Sequence, residues 1–401
     1  MINVVIWGAG RYCETVINAV KKEFCKIQGI ADSNQALHRT KFMNTWIIDS
    51  PENLIDDETD FIIISAQYSS QILQYCELLN INKIKIIDYW RSDEKYYFID
   101  ANVKKIFELE EKVETLRCHL QNMPYELGLL PSPVIRSAEE LMKKVIEDKI
   151  SLSRFGDGEL EIMQQRERPW FQIADAELSA RLKEVFRCKD ERIIIALSDN
   201  FGNLDRYTEV SADGIRKYLS NGIREKLMEA IDMTQVYYDA YVTRPYLMNK
   251  DKRYAQRIFE MFKCLWRDRD ILLVEGSKSY IGIRNDLFES AKKIRRIIAP
   301  CKNAFSVYDK ILDSVKQYAD ENTLVLCSLG PTATVLAYDL AMAGIQTIDI
   351  GQLDNEYEWY LRGADEAIEV PGKCVAGLGQ HYEVQIIEDE EYKKQIVDSV
   401  I

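Results

Sequence analysis

An acidic pair with one residue between its members is the first group in the sequence that could do chemistry. Residues 154–159 read RFGDGE, so Asp157 and Glu159 lie among glycines, with Arg154 just before them. Glycine lets the backbone and a ligand approach closely, and two carboxylates at a strand end can hold a divalent cation together with a diphosphate. An ordinary turn has the same pattern. On spacing alone, a metal site that includes Gly156 and a simple turn both stay open.

A second candidate segment runs from an apolar strand into a helix. Ser328, Gly330 and Thr332 surround the turn, and Pro331 lies in the first turn of the predicted helix. Proline suits that position, and the free amides and dipole of a helix N-terminus attract phosphate. The segment is therefore either a phosphate site or a plain strand-to-helix turn.

Acidic and aromatic residues alternate in a third candidate segment, residues 354–360, which read DNEYEWY. Aromatic rings there could stack on a sugar or a base, and one carboxylate could deprotonate a sugar hydroxyl as a general base. The segment is too aromatic for a solubilising surface. We therefore expect Asp354 and the acids after it to face a ligand.

Basic and amide residues that follow other predicted strands could complement these acids. Arg244 could clamp phosphate oxygens, although an ordinary salt bridge is the structural alternative. Lys302 and Asn303 follow another strand, and Asn285 and Asp286 could either contact a ligand or cap a helix. All five are candidates for the substrate site.

A framework of alternating strands and helices has to position these residues. The chain has 401 residues, which suggests two domains. Near-continuous apolar strands separated by helices predict an α/β fold, with mostly parallel sheets covered by helices, and ligands bind beyond the carboxyl ends of such strands. We expect one domain at 1–98, a helical linker at 99–132 and a second domain at 133–401. The main strand-like runs of the second domain are Ile193–Leu197, Ile271–Val274, Ile297–Ala299, Leu324–Cys327 and Thr347–Ile350, with helices at Tyr254–Trp266 and Ala333–Ala343.

The first domain opens with a strand, a glycine turn and a helix, as Rossmann-like nucleotide-binding folds do. Gly8 and Gly10 form the turn, and Asp32 lies where such folds hold a ribose hydroxyl. Cys13 replaces the third glycine of the pattern. NAD, another nucleotide or no ligand at all stays open for this loop. The predicted helix is Tyr12–Phe24, and later strands are Phe61–Ser65 and Ile84–Ile87.

Apolar residues three and four positions apart mark the predicted linker helix. They are Ile106, Leu109, Val113, Leu116 and Leu120. This spacing covers about two heptads, fewer than a coiled coil needs to be assigned safely. Residues 99–121 therefore form either a linker helix packed on a neighbouring domain or a homodimer contact. Pro124, Pro131 and Pro133 are expected to end the helix.

Composition excludes several classes of protein. The net charge is −13, which argues against a nucleic-acid surface. The nine cysteines form no CxxC pair, and a three-histidine metal site would need all of His38, His119 and His381. Oxygen ligands, and hence Mg²⁺ or Mn²⁺, are therefore favoured. With no signal sequence and no apolar run near ~18 residues, we expect a cytoplasmic protein without a transmembrane segment.

Seven segments occur in the order typical of GT-D type glycosyltransferases, a bacterial family first catalogued as a domain of unknown function. The sequence resembles this family over roughly residues 133–387, and the N-terminal Rossmann-like domain lies outside the resemblance. The matching segments are Arg154–Glu159, Arg244–Tyr246, Val274–Gly276, Asn285–Phe288, Asn303–Phe305, Leu329–Thr334 and Glu356–Trp359.

The resemblance implies transfer of a sugar, often glucose, from a UDP-sugar to a glycan or glycoprotein acceptor. It also implies that Asp157 and Glu159 hold manganese or magnesium with the diphosphate, and that Glu358 acts in catalysis. A base in a single displacement predicts inversion at the anomeric carbon.

Two departures from the family pattern concern the binding site. Gln352 stands where the family carries a histidine after a strand, and an amide is a weaker ligand for first-row metals than imidazole. Tyr280 and Arg284 stand where an arginine and an extra glycine are usual, so a phosphate or acceptor contact has moved, with Arg284 or Lys278 as candidates.

Three functions remain under consideration, with a metal-dependent glycosyltransferase favoured. A nucleotide-sugar oxidoreductase or dehydratase would use the N-terminal glycine loop, but that domain lacks the third glycine and a Tyr-x-x-x-Lys pair. A non-catalytic partner in glycan assembly is the third possibility, in which Gln352 would mark a decayed site.

Overall fold

The chain forms two compact units, Met1–Arg117 and Cys118–Ile401. The computed structural model describes residues 1–66, 69–165, 172–173, 175–375 and 388–401. Each unit has a mostly parallel sheet covered by helices, which confirms the predicted α/β class. His381 and the last residues of the family resemblance lie outside the described part of the chain.

The first unit has a Rossmann-like strand order. Over the described residues its six strands lie in the order β3-β4-β2-β1-β5-β6, and all neighbours are parallel except β3 and β4. The elements are β1 (Ile2–Trp7), α1 (Cys13–Ala19), β2 (Cys25–Ala31), β3 (Lys41–Phe42), β4 (Trp46–Asp49), α2 (Pro51–Leu54), β5 (Phe61–Ile64), α3 (Ser70–Leu78), β6 (Ile86–Asp88) and the start of α4 (Ala101–Glu126).

Two predicted elements of this unit differ from their predicted bounds by two residues or more. Helix α1 ends at Ala19 because Val20 is extended and pairs with Ile99. Strand β6 begins only at Ile86, because Lys83–Lys85 form a 3-10 turn in which the side chain of Asn82 accepts a hydrogen bond from the Ile84 amide.

The second unit is built on one parallel sheet. Over the described residues its nine strands lie in the order β15-β12-β11-β13-β14-β8-β9-β10-β7. The elements are β7 (Val134–Arg136), α5 (Ala138–Glu147), β8 (Ser151–Phe155), α6 (Asp157–Met163), α7 (Ala176–Phe186), β9 (Ile193–Leu197), α8 (Glu209–Tyr218), α9 (Ile223–Met228), β10 (Val236–Asp239), α10 (Lys252–Leu265), β11 (Asp270–Gly276), β12 (Lys293–Ala299), α11 (Tyr308–Tyr318), β13 (Leu324–Ser328), α12 (Pro331–Met342), β14 (Thr347–Asp349), α13 (Leu353–Arg362), α14 (Glu390–Gln395) and β15 (Ile396–Ser399).

The centre of this sheet brings distant parts of the chain together. Strand β8 pairs with β9 on one side and with β14 on the other, although β14 comes almost 200 residues later. Both strands are buried on their two faces, as parallel strands covered by helices are. Their carboxyl ends meet at one edge, where ligands bind in open α/β sheets.

Helix α4 runs further than the sequence predicted. It continues to Glu126 with Pro124 inside it, so the expected break at this proline is wrong. A proline near the end of a helix removes one backbone hydrogen bond, and the burial of Cys118 and Asn122 in the preceding turns holds the last turn in place. Among the described residues, no helix has the length and apolar character to cross a bilayer.

Candidate functional site

Arg154 joins the carboxyl ends of β8 and β14. Its Nε and Nη2 donate to the backbone oxygen and Oδ1 of Asp349, at 2.9 and 2.8 Å, and its Nη1 donates to the Ala240 carbonyl at 3.2 Å. Asp349 is buried, and its Oδ1 also accepts the Gly351 amide. Gly351 has a φ of +46°, and a Cβ atom there would lie 2.1 Å from Nη2 of Arg154. The Arg154 guanidinium therefore occupies the space that a side chain at position 351 would need.

The acidic pair follows immediately, at the start of α6. Asp157 is the exposed first residue of the helix, while Glu159 is half-buried and its Oε2 accepts the Gly156 amide at 2.8 Å. Burial and, secondarily, the negative charge of Asp349 raise the pKa of Glu159 to about 7. The Glu159 carboxyl is therefore only partly ionised near neutral pH.

The donor atoms at this edge are oxygens, the kind of ligand that magnesium and manganese prefer. Among the described residues no group of three or more histidine, cysteine or acidic side chains could hold a metal by itself. Mg²⁺ is usually held by one or two carboxylates together with substrate phosphates, which the pair Asp157 and Glu159 could supply. Gln352, just beyond β14, has a buried Oε1 without a hydrogen-bond partner among the described residues. An amide oxygen without a partner is an available hard ligand.

A cluster of buried charged side chains surrounds two acids of helix α13, Asp354 and Glu358. Lys373 donates to Oδ2 of Asp354 at 2.7 Å and to Oε1 of Glu358 at 2.9 Å. Asn285 donates to the same two carboxylates, at 2.8 Å each, and Arg362 reaches Oε2 of Glu358 at 3.2 Å. Burial raises the pKa of Glu358, but the charge of Lys373 and these hydrogen bonds together outweigh it, and its pKa lies below the ordinary value. Glu358 is therefore ionised at neutral pH.

Glu356 occupies a different environment on the same helix. Its Oε2 accepts the amides of Tyr246 and Leu247, at 2.8 and 3.1 Å, and its Oε1 has no partner among the described residues. Burial raises the pKa of Glu356, and the nearby charge of Arg244 only partly opposes this. The charge of Arg244 thus acts on an acid of the third candidate segment.

The predicted phosphate turn also reaches this edge. Ser328 donates to the Gly351 carbonyl at 2.8 Å, which ties the end of β13 to the loop after β14. Gly330, at φ +55°, precedes α12. The buried Oγ1 of Thr332, in the first turn of that helix, has no hydrogen-bond partner among the described residues.

Three predicted residues take part in other contacts. Asp286 is exposed and binds Lys263 at 2.8 Å and the Tyr357 hydroxyl at 2.7 Å. Asn303 accepts the Ile173 amide at 2.7 Å, and Lys302 beside it is exposed. These contacts do not connect the three residues to Asp157 or Glu358.

Sequence reasoning missed several members of the site. Asp349 ends an apolar strand, a signal that could have been used, whereas nothing in the sequence around Lys373 indicates a buried lysine. Asp199, two residues after β9, also follows the carboxyl end of a strand in this sheet: burial and the charge of Asp239 raise its pKa to about 7, and Arg206 lies 3.2 Å from its carboxylate.

The N-terminal glycine loop is tied to its own acidic residue. Oδ2 of Asp32 accepts the Ala9 amide at 2.7 Å and Oδ1 accepts the Asn34 amide at 2.8 Å. Gly8 has a φ of +112°, whereas Gly10 has open space around it. The carboxylate that would hold a ribose in a dinucleotide fold thus braces the loop itself.

Comparison with known proteins yields matches for both units. Residues 152–378 match the family described as the glycosyltransferase GT-D fold, and residues 1–87 match a family described as C2185-like, N-terminal. The probable glycosyl transferase Gly of Streptococcus gordonii is 38% identical over 264 residues, which are 66% of this chain and 38% of that protein. Glycosyltransferase GlyD of Streptococcus pneumoniae serotype 4 is 33% identical over 354 residues, 87% of this chain and 40% of that protein. The chain thus spans about two fifths of the length of these relatives.

Solved structures match about two thirds or more of the chain. One, described as a new glycosyltransferase (domain of unknown function 1792) from Streptococcus sanguinis, is 34% identical, with 67% of this chain and 100% of that chain covered and a TM-score of 0.62. Another, described as the highly conserved domain of unknown function 1792 with a distinct glycosyltransferase fold, is 33% identical, with 72% and 99% covered and a TM-score of 0.63. With its family match extending over more than half of its length, the chain belongs to the glycosyltransferase GT-D fold family.

Proposed function

We propose that this chain is a metal-dependent glycosyltransferase that moves a sugar, with glucose as the first candidate, from a UDP-sugar to a glycan or glycoprotein acceptor. The observation that carries the proposal is the acidic edge of the sheet. There Asp157 and Glu159 adjoin the Arg154–Asp349 pair, within the residues that match the GT-D family.

Magnesium or manganese would be held by Asp157 and Glu159, with the amide oxygen of Gln352 as a further ligand. When bound, the cation would offset the charge of the departing diphosphate. Arg154 cannot swing freely towards a ligand, because three hydrogen bonds fix its guanidinium. Its role in the proposal is to hold the ends of β8 and β14 together, so that the acidic pair is preorganised.

Glu358 is the proposed general base for the acceptor hydroxyl. Its ionised state at neutral pH suits that role, because only the carboxylate can accept a proton. Oε1 already accepts from Asn285 and Lys373, whereas Oε2 has one longer contact, to half-exposed Arg362. The acceptor hydroxyl should therefore approach Oε2. A base in a single displacement gives inversion at the anomeric carbon.

Hydrolysis of a panel of UDP-sugars, with and without Mn²⁺, tests the proposal directly. We expect at least one donor to be hydrolysed only with the metal present. Asp157→Asn should weaken Mn²⁺-dependent UDP binding in calorimetry about tenfold or more, because the amide loses the charge that holds the cation. Asp286→Asn is the matched control, since Asp286 is also exposed and binds Lys263 and the Tyr357 hydroxyl, away from the acidic pair. Equal losses in both variants, or hydrolysis unaffected by metal, would contradict the proposal.

The base assignment needs a separate comparison of two glutamates on α13. Glu358→Gln should lower turnover about 100-fold or more while UDP and Mn²⁺ affinities stay nearly unchanged. Glu356→Gln keeps the hydrogen bonds to Tyr246 and Leu247 possible, and should lower turnover far less. A larger loss at Glu356, with Glu358→Gln still active, would transfer the role to Glu356, whose Oε1 has no partner among the described residues.

A further inference from the structure

Helix α4 carries an exposed apolar stripe. Its six residues are between 45% and 65% exposed, although each is a large hydrophobic residue. They are Ile106, Leu109, Val113, Leu116, Leu120 and Met123. They follow one another at alternating steps of three and four positions, so they form one continuous line along the helix. We call these six residues the α4 stripe.

The opposite side of α4 is already packed. Near its start, Phe107 contacts the rings of Tyr12 and Trp90. Near its end, Cys118 and Asn122 are buried, and Asn122 accepts a hydrogen bond from Arg224 at 2.6 Å. In each unit, α4 is therefore anchored through residues outside the stripe, and the stripe residues stay exposed within the described part of the chain.

The spacing of the α4 stripe is that of a coiled-coil seam. The stripe repeats every 3.4 residues on average over 18 residues, about two and a half heptads, with Ile106, Val113 and Leu120 at one core position and Leu109, Leu116 and Met123 at the other. Coiled-coil seams are made of two apolar core positions per heptad. A partner must present the same repeat, and α4 itself does. We propose that two copies of this chain pair through the α4 stripe as an antiparallel two-stranded coiled coil.

The charges beside the stripe select the antiparallel direction. Glu110 and Arg117 lie on one flank, and Lys105 and Lys112 on the other. Flanking charges set the direction of coiled-coil pairing. In an antiparallel pair, Glu110 lies beside Arg117 of the second copy, an attraction that occurs twice. A parallel pair instead sets Lys105 beside Glu110 of the second copy, which is attractive, and Lys112 beside Arg117, which is repulsive, so its flanking charges cancel. The contact of Arg117 with Glu114 in its own helix is exposed and therefore weak.

Sedimentation equilibrium of the full chain at tens of micromolar tests the pairing. We expect a dimer for the wild type and a monomer for the double variant Leu109→Glu, Leu116→Glu. Val210→Glu is the matched control, because Val210 is 81% exposed on helix α8 and lies outside the stripe. Circular dichroism shows whether each variant is folded. A monomeric wild type, or a double variant that stays dimeric, would overturn the proposal.

Charge exchange tests the direction even if the double variant fails to fold. Arg117→Glu should weaken dimerisation on the order of tenfold, since it opposes Glu110 of the second copy. Glu110→Lys should weaken it similarly, and combining both changes should restore it. In a parallel pair, Arg117→Glu alone would instead strengthen the dimer by relieving its repulsion with Lys112. That result would rule out the antiparallel arrangement.

Discussion

Buried charges are the decisive feature at the scale of single residues. Lys373 is 1% exposed and binds two carboxylates, those of Asp354 and Glu358, which are 5% and 4% exposed. A buried ion pair contributes little net stability, but removing one partner strands the other. The lysine is thus a structural requirement of the two acids.

Replacing this lysine should be costly. Lys373→Met is expected to lower the free energy of unfolding by about 3–5 kcal/mol, because Asp354 and Glu358 would remain buried without a cation. Urea unfolding measures the difference. Lys393→Met removes a lysine that also contacts two acids, Glu388 and Glu390, but is half-exposed, so it should cost less than about 1 kcal/mol. Similar losses for the two variants would mean that Lys373 is not essential to the cluster.

The stability lost in the Lys373→Met variant should also depend on pH. The pKa of Glu358 is lower in the folded chain than in the unfolded chain, so its ionisation adds stability above the unfolded value, and that stability disappears as the pH falls through the folded value. The gap between the wild type and Lys373→Met should therefore be full at pH 7 and narrow below about pH 4.3. A gap that widens in acid would contradict the proposed state of Glu358.

The sequence indicated these acids but not the residues that bind them. Asp157 and Glu159 follow a recognisable strand end, and Glu358 lies in a segment where acidic and aromatic residues alternate. Lys373 follows no strand or helix of its own, and only its three-dimensional contacts reveal its function.

At the scale of elements, strands were easier to predict than their arrangement. The run Ile193–Leu197 coincides with β9, and the runs in β11, β12 and β13 lie within the observed bounds, because buried parallel strands are almost wholly apolar. The neighbours of β8 could not be predicted, since pairing depends on packing between distant segments. The length of α4 was underestimated because its last turn is fixed by buried contacts of Cys118 and Asn122.

A substitution at Gly351, in the loop after β14, tests how this loop positions Arg154. Gly351→Ala should displace the guanidinium of Arg154, break its pair with Asp349 and lower donor hydrolysis severalfold. Gly344 also has a positive φ, +83°, but no other heavy atom lies within 4 Å of the position that an alanine Cβ would take there. Gly344→Ala should therefore cost about 1 kcal/mol of backbone strain and leave hydrolysis unchanged. Equal activities would show that the position of Arg154 does not matter.

At the scale of the molecule, the end of α4 belongs to the second unit, which contains the candidate site. Asn122 binds Arg224, which is buried, and Glu126 binds Arg216 through two hydrogen bonds of 2.8 Å each. The sequence placed the domain start at 133 because prolines follow α4. Contacts instead group residues from Cys118 onward with the second unit.

Two N-terminal truncations test whether the second domain begins near residue 133 or at Cys118. Residues 118–401 should fold and hydrolyse donor like the full chain, because every candidate residue of the acidic edge lies within them. Residues 131–401 should unfold about 5 °C lower or more, because Arg224 and Arg216 lose their partners. Thermal unfolding and donor hydrolysis of both fragments provide the comparison. Equal melting temperatures would show that the last turn of α4 is dispensable.

The pairing of β8 with β14 also determines how late in translation the sheet can be completed. Arg154 and Asp349 are separated by 195 positions, so a ribosome working at 5–20 residues per second needs roughly 10 to 40 seconds between them. Throughout that interval β8 has its β9 neighbour but leaves its other edge open, and an open apolar edge invites mispairing. The acidic edge would therefore be completed late in biogenesis, when β14 enters between β13 and β8.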